Sequence, residues 1–177
     1  TPASAIGDAT ALDDDGSLIS TPGLDLRTDL PLYNIYHEGR LVAQKRDIRA
    51  EWSRDHVAFL IGCSFGFEAA LHRAGLRPRH WDVAGNVPMY RTARRLNPAG
   101  IFINASYVVS MRPYRANDIE RVRDVTRPYR LAHGEPIAWG DPAQLGIDDI
   151  MHPDYGDPPV MEPGDVPVFW GCGTMRM

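Results

Sequence analysis

The stretch Val57-Ala-Phe-Leu-Ile-Gly-Cys-Ser-Phe-Gly-Phe-Glu68 decides how the rest of the chain is read. A continuous apolar run ends at Gly62, and Cys63 and Ser64 follow at once. Phe65, Phe67, Glu68, Ala69, Ala70 and Leu71 then read as an amphipathic helix that stops near Gly75. A buried strand at 57–61 breaking sharply into a helix over 65–74 sets Cys63 and Ser64 beside unpaired backbone N–H groups, where negative charge is favoured. Nucleophiles and anion-binding groups of α/β enzymes often stand at such a break. The alternative is that Cys63 simply packs under the helix, because free cysteines are among the most buried residues.

Outward from this break, strands and helices alternate. Residues 30–36 and 40–44 alternate in polarity around His37-Glu38-Gly39, which predicts a β-hairpin, and 47–54 reads as a short helix. Downstream, 87–92 and 107–113 have strand character. Asn117 and Asp118 can cap a helix from Ile119 to about Val125, which Pro128 ends. A short strand reaches Trp139, 148–163 is a long loop dense in Pro, Gly and Asp, and 166–171 is a closing buried strand. The expected class is α/β: a mixed sheet with helices on its faces, a larger lobe plus a small α+β lobe around one cleft. Residues 1–24, rich in small and polar side chains and carrying Asp13-Asp14-Asp15, read as a mobile or loosely docked arm, and 25–177 as the folded domain. Cys63 and Ser64, Arg91 and Thr92, Ser110 and Arg112, and Cys172 each follow a strand-like run. Ligands bind at the carboxyl ends of strands in open α/β sheets, so these residues are expected to converge on one cleft.

Composition narrows the function. A net charge of −4 over 177 residues argues against a nucleic-acid partner, and no apolar run approaches the roughly 20 residues of a membrane helix. Of 19 cationic residues only Lys45 is a lysine, a bias that a GC-rich genome explains without function. Cys63 and Cys172 lie far apart without zinc-type spacing, so a reduced pair in a cytoplasmic protein is expected, with a disulfide between them as the alternative. Enzymes of this size often form symmetric homodimers.

Several segments, taken in order, resemble one family. They are Asp25-Leu-Arg-Thr-Asp-Leu-Pro31, Phe59-Leu-Ile-Gly-Cys-Ser-Phe-Gly-Phe-Glu68, Arg79-His80, Asn86-Val-Pro-Met-Tyr-Arg-Thr92 and Val108-Val-Ser-Met-Arg-Pro113. His133-Gly-Glu-Pro136, Gly140-Asp-Pro142, Gly146-Ile-Asp148, Pro153-Asp-Tyr-Gly-Asp157 and Val166-Pro-Val-Phe-Trp-Gly-Cys-Gly173 continue the series. Together they resemble the hydro-lyase family that includes the mitochondrial enzyme D-glutamate cyclase. The resemblance implies a two-lobed α/β fold and dehydrating lyase chemistry, illustrated by ring closure of D-glutamate to 5-oxo-D-proline. It implies a small carboxylic acid as substrate and no metal or organic cofactor. The chain departs from the family in four places. The family's further amino-terminal stretch is not seen here, and the alternatives are loss, replacement by residues 1–24, cleavage before Thr1 or a separate chain; Gly66 stands for a usual Ser; Trp139 stands for a usual His; and Gly173-Thr-Met-Arg-Met177 lacks the usual Thr-Pro-Gln ending. These departures keep open a specialised biosynthetic cyclase or dehydratase acting on a bulkier substrate, or a non-catalytic relative that binds acids.

Removing water from a small acid requires an anchored carboxylate, a moved proton and a stabilised oxyanion. Arg91 and Arg112 suit the anchor, because guanidinium binds carboxylate through two parallel hydrogen bonds; the alternative for each is a structural ion pair with a loop aspartate. Glu68 suits proton transfer if a pocket raises its pKa, and otherwise complements the helix amino terminus. His133, before Gly134, is a second proton carrier, and His80 a weaker one. Ser64 and Cys63 suit oxyanion support. Asn86, Tyr90, Thr92, Ser110 and Asp141 complete the expected substrate-binding set, with Asp141 also a natural turn-former before Pro142.

Overall fold

The computed structural model describes residues 8–12, 18–22, 25–53, 55, 56, 63–98 and 103–176. The strand expected at 57–61 therefore lies outside the described residues. The chain divides into two compact units, Thr1–Leu60 and Ile61–Met177.

The first unit holds two hairpins. Strands β1 (Asp8–Leu12) and β2 (Leu18–Pro22) pair antiparallel within the segment expected as an arm. Strands β3 (Tyr33–His37) and β4 (Arg40–Lys45) form the hairpin expected from alternation. Glu38 and Gly39 turn it at φ 49° and 75°, the positive pair that matches the twist of a two-residue hairpin loop. The helix expected over 47–54 is instead a single turn, closed by Trp52 N–H donating to the Ile48 carbonyl oxygen at 2.9 Å. One turn fixes several dihedrals for one or two hydrogen bonds and does not propagate by itself.

The second unit is a four-stranded sheet with two helices. Helix α1 (Phe65–Arg73) forms within the span expected for it, and Gly75 at φ 77° ends it. Strands β5 (Met89–Arg95), β6 (Ser106–Arg115), β7 (Ala138–Trp139) and β8 (Asp165–Arg176) stand in the order β5-β6-β8-β7. Helix α2 (Ile119–Thr126) begins after Asp118, whose side chain makes no capping bond. The α/β class holds, and every pairing among the described strands is antiparallel.

That direction changes how the polar residues meet. Arg91, Ser110, Arg112 and Cys172 lie within neighbouring antiparallel strands and do not gather at shared carboxyl ends. What brings several of them together is register. Met89 pairs with Ser110 and Arg91 with Val108, while Ser110 pairs with Trp170 and Val108 with Cys172. Because side chains alternate along a strand, all six belong to one face, with Arg112 and Tyr114 continuing it. Phe67 and Leu71 of α1 and Ile119 and Val122 of α2 pack on that face with Tyr114, Val168 and Trp170. The opposite face carries Tyr90, Val109, Met111 and Phe169, covered by Leu145 and Ile147.

Candidate active site

Ser64 occupies the position before α1, where a serine usually accepts from a helix N–H. Its side chain makes no such bond. The hydroxyl, 1% exposed, accepts instead from the Nη2 of Arg112 at 3.2 Å and lies 3.4 Å from the Ser110 hydroxyl, which donates to it. A group diverted from its local role to a long-range partner marks a site where tertiary structure has overruled local preference.

Arg112 is the hub. It is 1% exposed, and its guanidinium sits between the rings of Phe67 and Trp170, 5.3 Å and 5.4 Å from their centroids. Its Nε donates to Glu68 Oε1 at 2.8 Å, Nη2 donates to that same oxygen and to Ser64, and Nη1 donates to Ser110 at 3.2 Å. Two aromatic faces favour a buried cation, and the carboxylate neutralises it. With four hydrogen bonds of a five-donor fork directed at protein oxygens, Arg112 cannot also offer the two parallel donors expected for a substrate carboxylate. Arg112 forms a buried ion pair with Glu68 of α1 and not with the loop aspartate that was its alternative.

Glu68 is buried on the same side. Its Oε2 accepts from the indole N–H of Trp81 at 2.7 Å, and His80 Nε2 lies 3.2 Å from Oε1. Burial pushes the Glu68 pKa up, but His80 and Arg112 more than reverse this and hold it below the usual carboxylate range. The raised pKa that a general acid needs is absent, because the cation sits against the carboxylate. Trp81 was not legible as a partner of Glu68: it stands 13 residues away in the 3₁₀ turn Arg79–Val83, with no local pattern linking the two.

The other expected residues divide. Cys63 is exposed directly beside Ser64, and its carbonyl oxygen accepts from Gly66 N–H at 2.9 Å. His133 follows the turn Arg130–Ala132 at φ 80°, a left-handed conformation uncommon outside glycine and enriched in a few types including His. That turn packs closely on α1 at Gly66, where an added Cβ would stand 3.3 Å from that of Ala132. Arg91 is exposed on the edge strand, on the face of Ser110. Its guanidinium is partnered: Nη2 donates to the Tyr155 hydroxyl at 2.9 Å, the group lies 5.3 Å from the centre of that ring, and Asp154 lies 3.6 Å away. Gly156 lets this loop close on Val87, whose carbonyl oxygen occupies the space a Cβ would need. Met89, opposite Ser110, accepts from the Cys172 thiol at 3.6 Å, so sulfur atoms border the hydroxyl pair.

Four expected binding residues stand elsewhere. Tyr90 lies in the core of the opposite face and donates to the Ile150 carbonyl oxygen, and burial pushes its phenol pKa up. Thr92 is buried and donates to the Tyr107 carbonyl oxygen at 2.8 Å. Asn86 is tied through its backbone N–H to Asp157 at 2.7 Å. Asp141 accepts from Ala143 N–H at 3.0 Å and caps the turn Pro142–Leu145, the turn-forming role that was its alternative. A groove of about 590 Å³ between Ala93, Arg94, Ile137, Trp139 and Gln144 contains none of these groups. Among the described residues no cluster of His, Cys, Asp and Glu could hold a metal ion, and no helix is long and apolar enough to cross a membrane.

A family model described as D-glutamate cyclase matches residues 57–176. A protein of Nocardioides named "Putative hydro-lyase" is 55% identical over 153 residues, covering 86% of this chain and 56% of that protein. Proteins of the same name from Saccharopolyspora erythraea and Rubrobacter xylanophilus are 50% and 49% identical, over 85% and 86% of this chain and 59% of each relative. The chain thus spans between half and three fifths of the length of these relatives.

Proposed function

The chain belongs to the D-glutamate cyclase family, and from that premise we propose that it is a carbon–oxygen lyase that removes water from a small amino acid, with D-glutamate closing to 5-oxo-D-proline as the reaction to test. In that closure the α-nitrogen bonds to the γ-carboxyl carbon, one carbon–oxygen bond breaks, and both protons shed by the ammonium leave on the departing oxygen as water.

The observation that carries this reading is the hydroxyl pair held by a buried cation. Ser64 accepts from Arg112 and from Ser110, so its own O–H is left to donate to oxyanion charge developing on the attacked carboxyl. Donors fixed before reaction need no reorganisation when that charge appears. Glu68 neutralises the Arg112 guanidinium and holds it in place. Arg91 lies two residues along β5 from the position opposite Ser110, about 7 Å away on the same face. That separation suits a molecule gripped by its α-carboxylate at Arg91 while its γ-carboxyl meets Ser64. His133 carries the protons, and Cys63, beside Ser64 at the surface, contributes oxyanion contact. A cytoplasmic setting and a homodimeric assembly go with this reading.

The test is to incubate the 177-residue chain with D-glutamate and with L-glutamate, and to follow 5-oxoproline by chiral chromatography. Turnover of the D isomer is expected, with Ser64→Ala lowering kcat about 100-fold. Product at the same rate from the Ser64→Ala variant would remove Ser64 from the reaction. A raised melting temperature with D-glutamate but no product would make the chain an acid-binding relative instead.

A further inference from the structure

Glu68 is gripped from two sides, and only one grip belongs to the groups already assigned a role. Arg112 takes Oε1, whereas Oε2 is taken by the Trp81 indole N–H at 2.7 Å. The ring lies beside His72 of α1, centroids 5.6 Å apart, and the exposed guanidinium of Arg77 stands 5.3 Å from it while pairing with Asp82. The terminal torsion of a glutamate is broad, so one partner alone leaves the plane of the carboxylate free to turn. With the second oxygen anchored, Oε1 is held toward Arg112, and the guanidinium is thereby directed at Ser64 and Ser110. We propose that Trp81 is a positioning residue of this site, acting through Glu68 to aim Arg112 at the two hydroxyls. The activity part of the test rests on the function proposed above; the aim of Arg112 does not.

The groups facing Glu68 are Trp81 and His80 from the 3₁₀ turn, and Arg112 and Tyr114 from β6. Trp81→Phe keeps an aromatic ring and removes only the donor. Losing a hydrogen bond to a carboxylate raises its pKa and loosens its partner. The variant is expected to lower kcat for D-glutamate about ten-fold with KM within about two-fold, and to move the acid limb of the kcat–pH profile up by about one pH unit. The Arg112 Nε–H signal in the nuclear magnetic resonance spectrum is expected to exchange with solvent faster. Arg77→Ala disturbs the same indole without touching its N–H bond and is expected to leave all three readouts unchanged.

Trp81→Phe with wild-type kcat, acid limb and Arg112 exchange overturns the proposal. So does Arg77→Ala reproducing the losses of Trp81→Phe, because ring packing and not the hydrogen bond would then be responsible. A wild-type chain without turnover removes the lyase reading alone, and the exchange comparison still decides the role of Trp81. If Trp81→Phe does not fold, acid titration of the wild type decides: the Trp81 indole N–H shift and Arg112 exchange share one midpoint if Glu68 links them, and separate midpoints overturn the link.

Discussion

The two faces of the four-stranded sheet come from the same strands and are equally buried along β6, yet they are held together by different forces. On one face Val109 and Met111 meet Tyr90, Phe169, Leu145 and Ile147 in an apolar core. On the other, Ser110 and Arg112 alternate with them and are buried as deeply, at 0% and 1% exposure, under α1. Alternation of polar and apolar residues ordinarily means one wet face and one dry face. Here the polar face is covered by a helix whose Phe67 and Glu68 supply an aromatic surface and a counter-charge, so Ser110 and Arg112 find partners without water. The apolar face depends on shape. The polar face depends on every partner being present.

The largest expected effect breaks that polar set. Arg112→Ala leaves Glu68 as an uncompensated buried charge and is expected to cost about 4 kcal/mol in denaturant unfolding. Adding Glu68→Leu to Arg112→Met should recover part of the loss, because a buried pair weighs less than either orphan; a double variant worse than both singles would show that the pair is not the unit. On the shape-dependent face, Met111→Ala should cost about 3 kcal/mol through the cavity it leaves, with no change in the pH dependence of stability. A loss as large as that of Arg112→Ala would erase the distinction between the faces.

Acid separates the faces next. The folded pKa of Glu68 is depressed, so the stability it contributes is fully present above its unfolded value, about 4.3, and is lost as pH falls through the lower folded value. Wild type is therefore expected to lose stability with acid more steeply than Glu68→Gln, as measured by urea unfolding from pH 5 downward. Identical slopes would detach Glu68 from Arg112. Ser64→Ala removes one acceptor of a charged donor and is expected to cost about 1–2 kcal/mol. The smallest effect belongs to Arg91, exposed and paired at the surface. Arg91→Ala should change stability by less than about 1 kcal/mol while raising KM for D-glutamate at least about ten-fold. An unchanged KM would remove its role as the carboxylate anchor.

Much of the second unit was legible in the chain. The spacing of Phe67, Glu68 and Leu71 announced α1, and Ile119 and Val122 announced α2, since helical period needs only local residues. The strands β5, β6 and β8 were legible as apolar runs, but their direction was not, because pairing joins residues as far apart as Ser110 and Trp170. Of the residues expected at the site, Ser64, Glu68, Ser110 and Arg112 lie within hydrogen-bond reach of one another. Tyr90 was drawn in by standing beside Arg91, and the two-residue repeat of a strand sends it to the other face. Trp81 was missed because a hydrogen bond formed by a fold leaves no mark at either end of the sequence.

The amino-acid order by itself determined which residues form helices and strands in the second unit, and which residue types belong to the family, because both are written in local spacing and in short ordered segments. Only the tertiary structure decided that Arg112 faces Glu68 and two hydroxyls while Arg91 remains at the surface. Both are arginines on strands with apolar neighbours, and what separates them is the register of three strands and the helix laid over one face, neither of which is a property of any short stretch of chain.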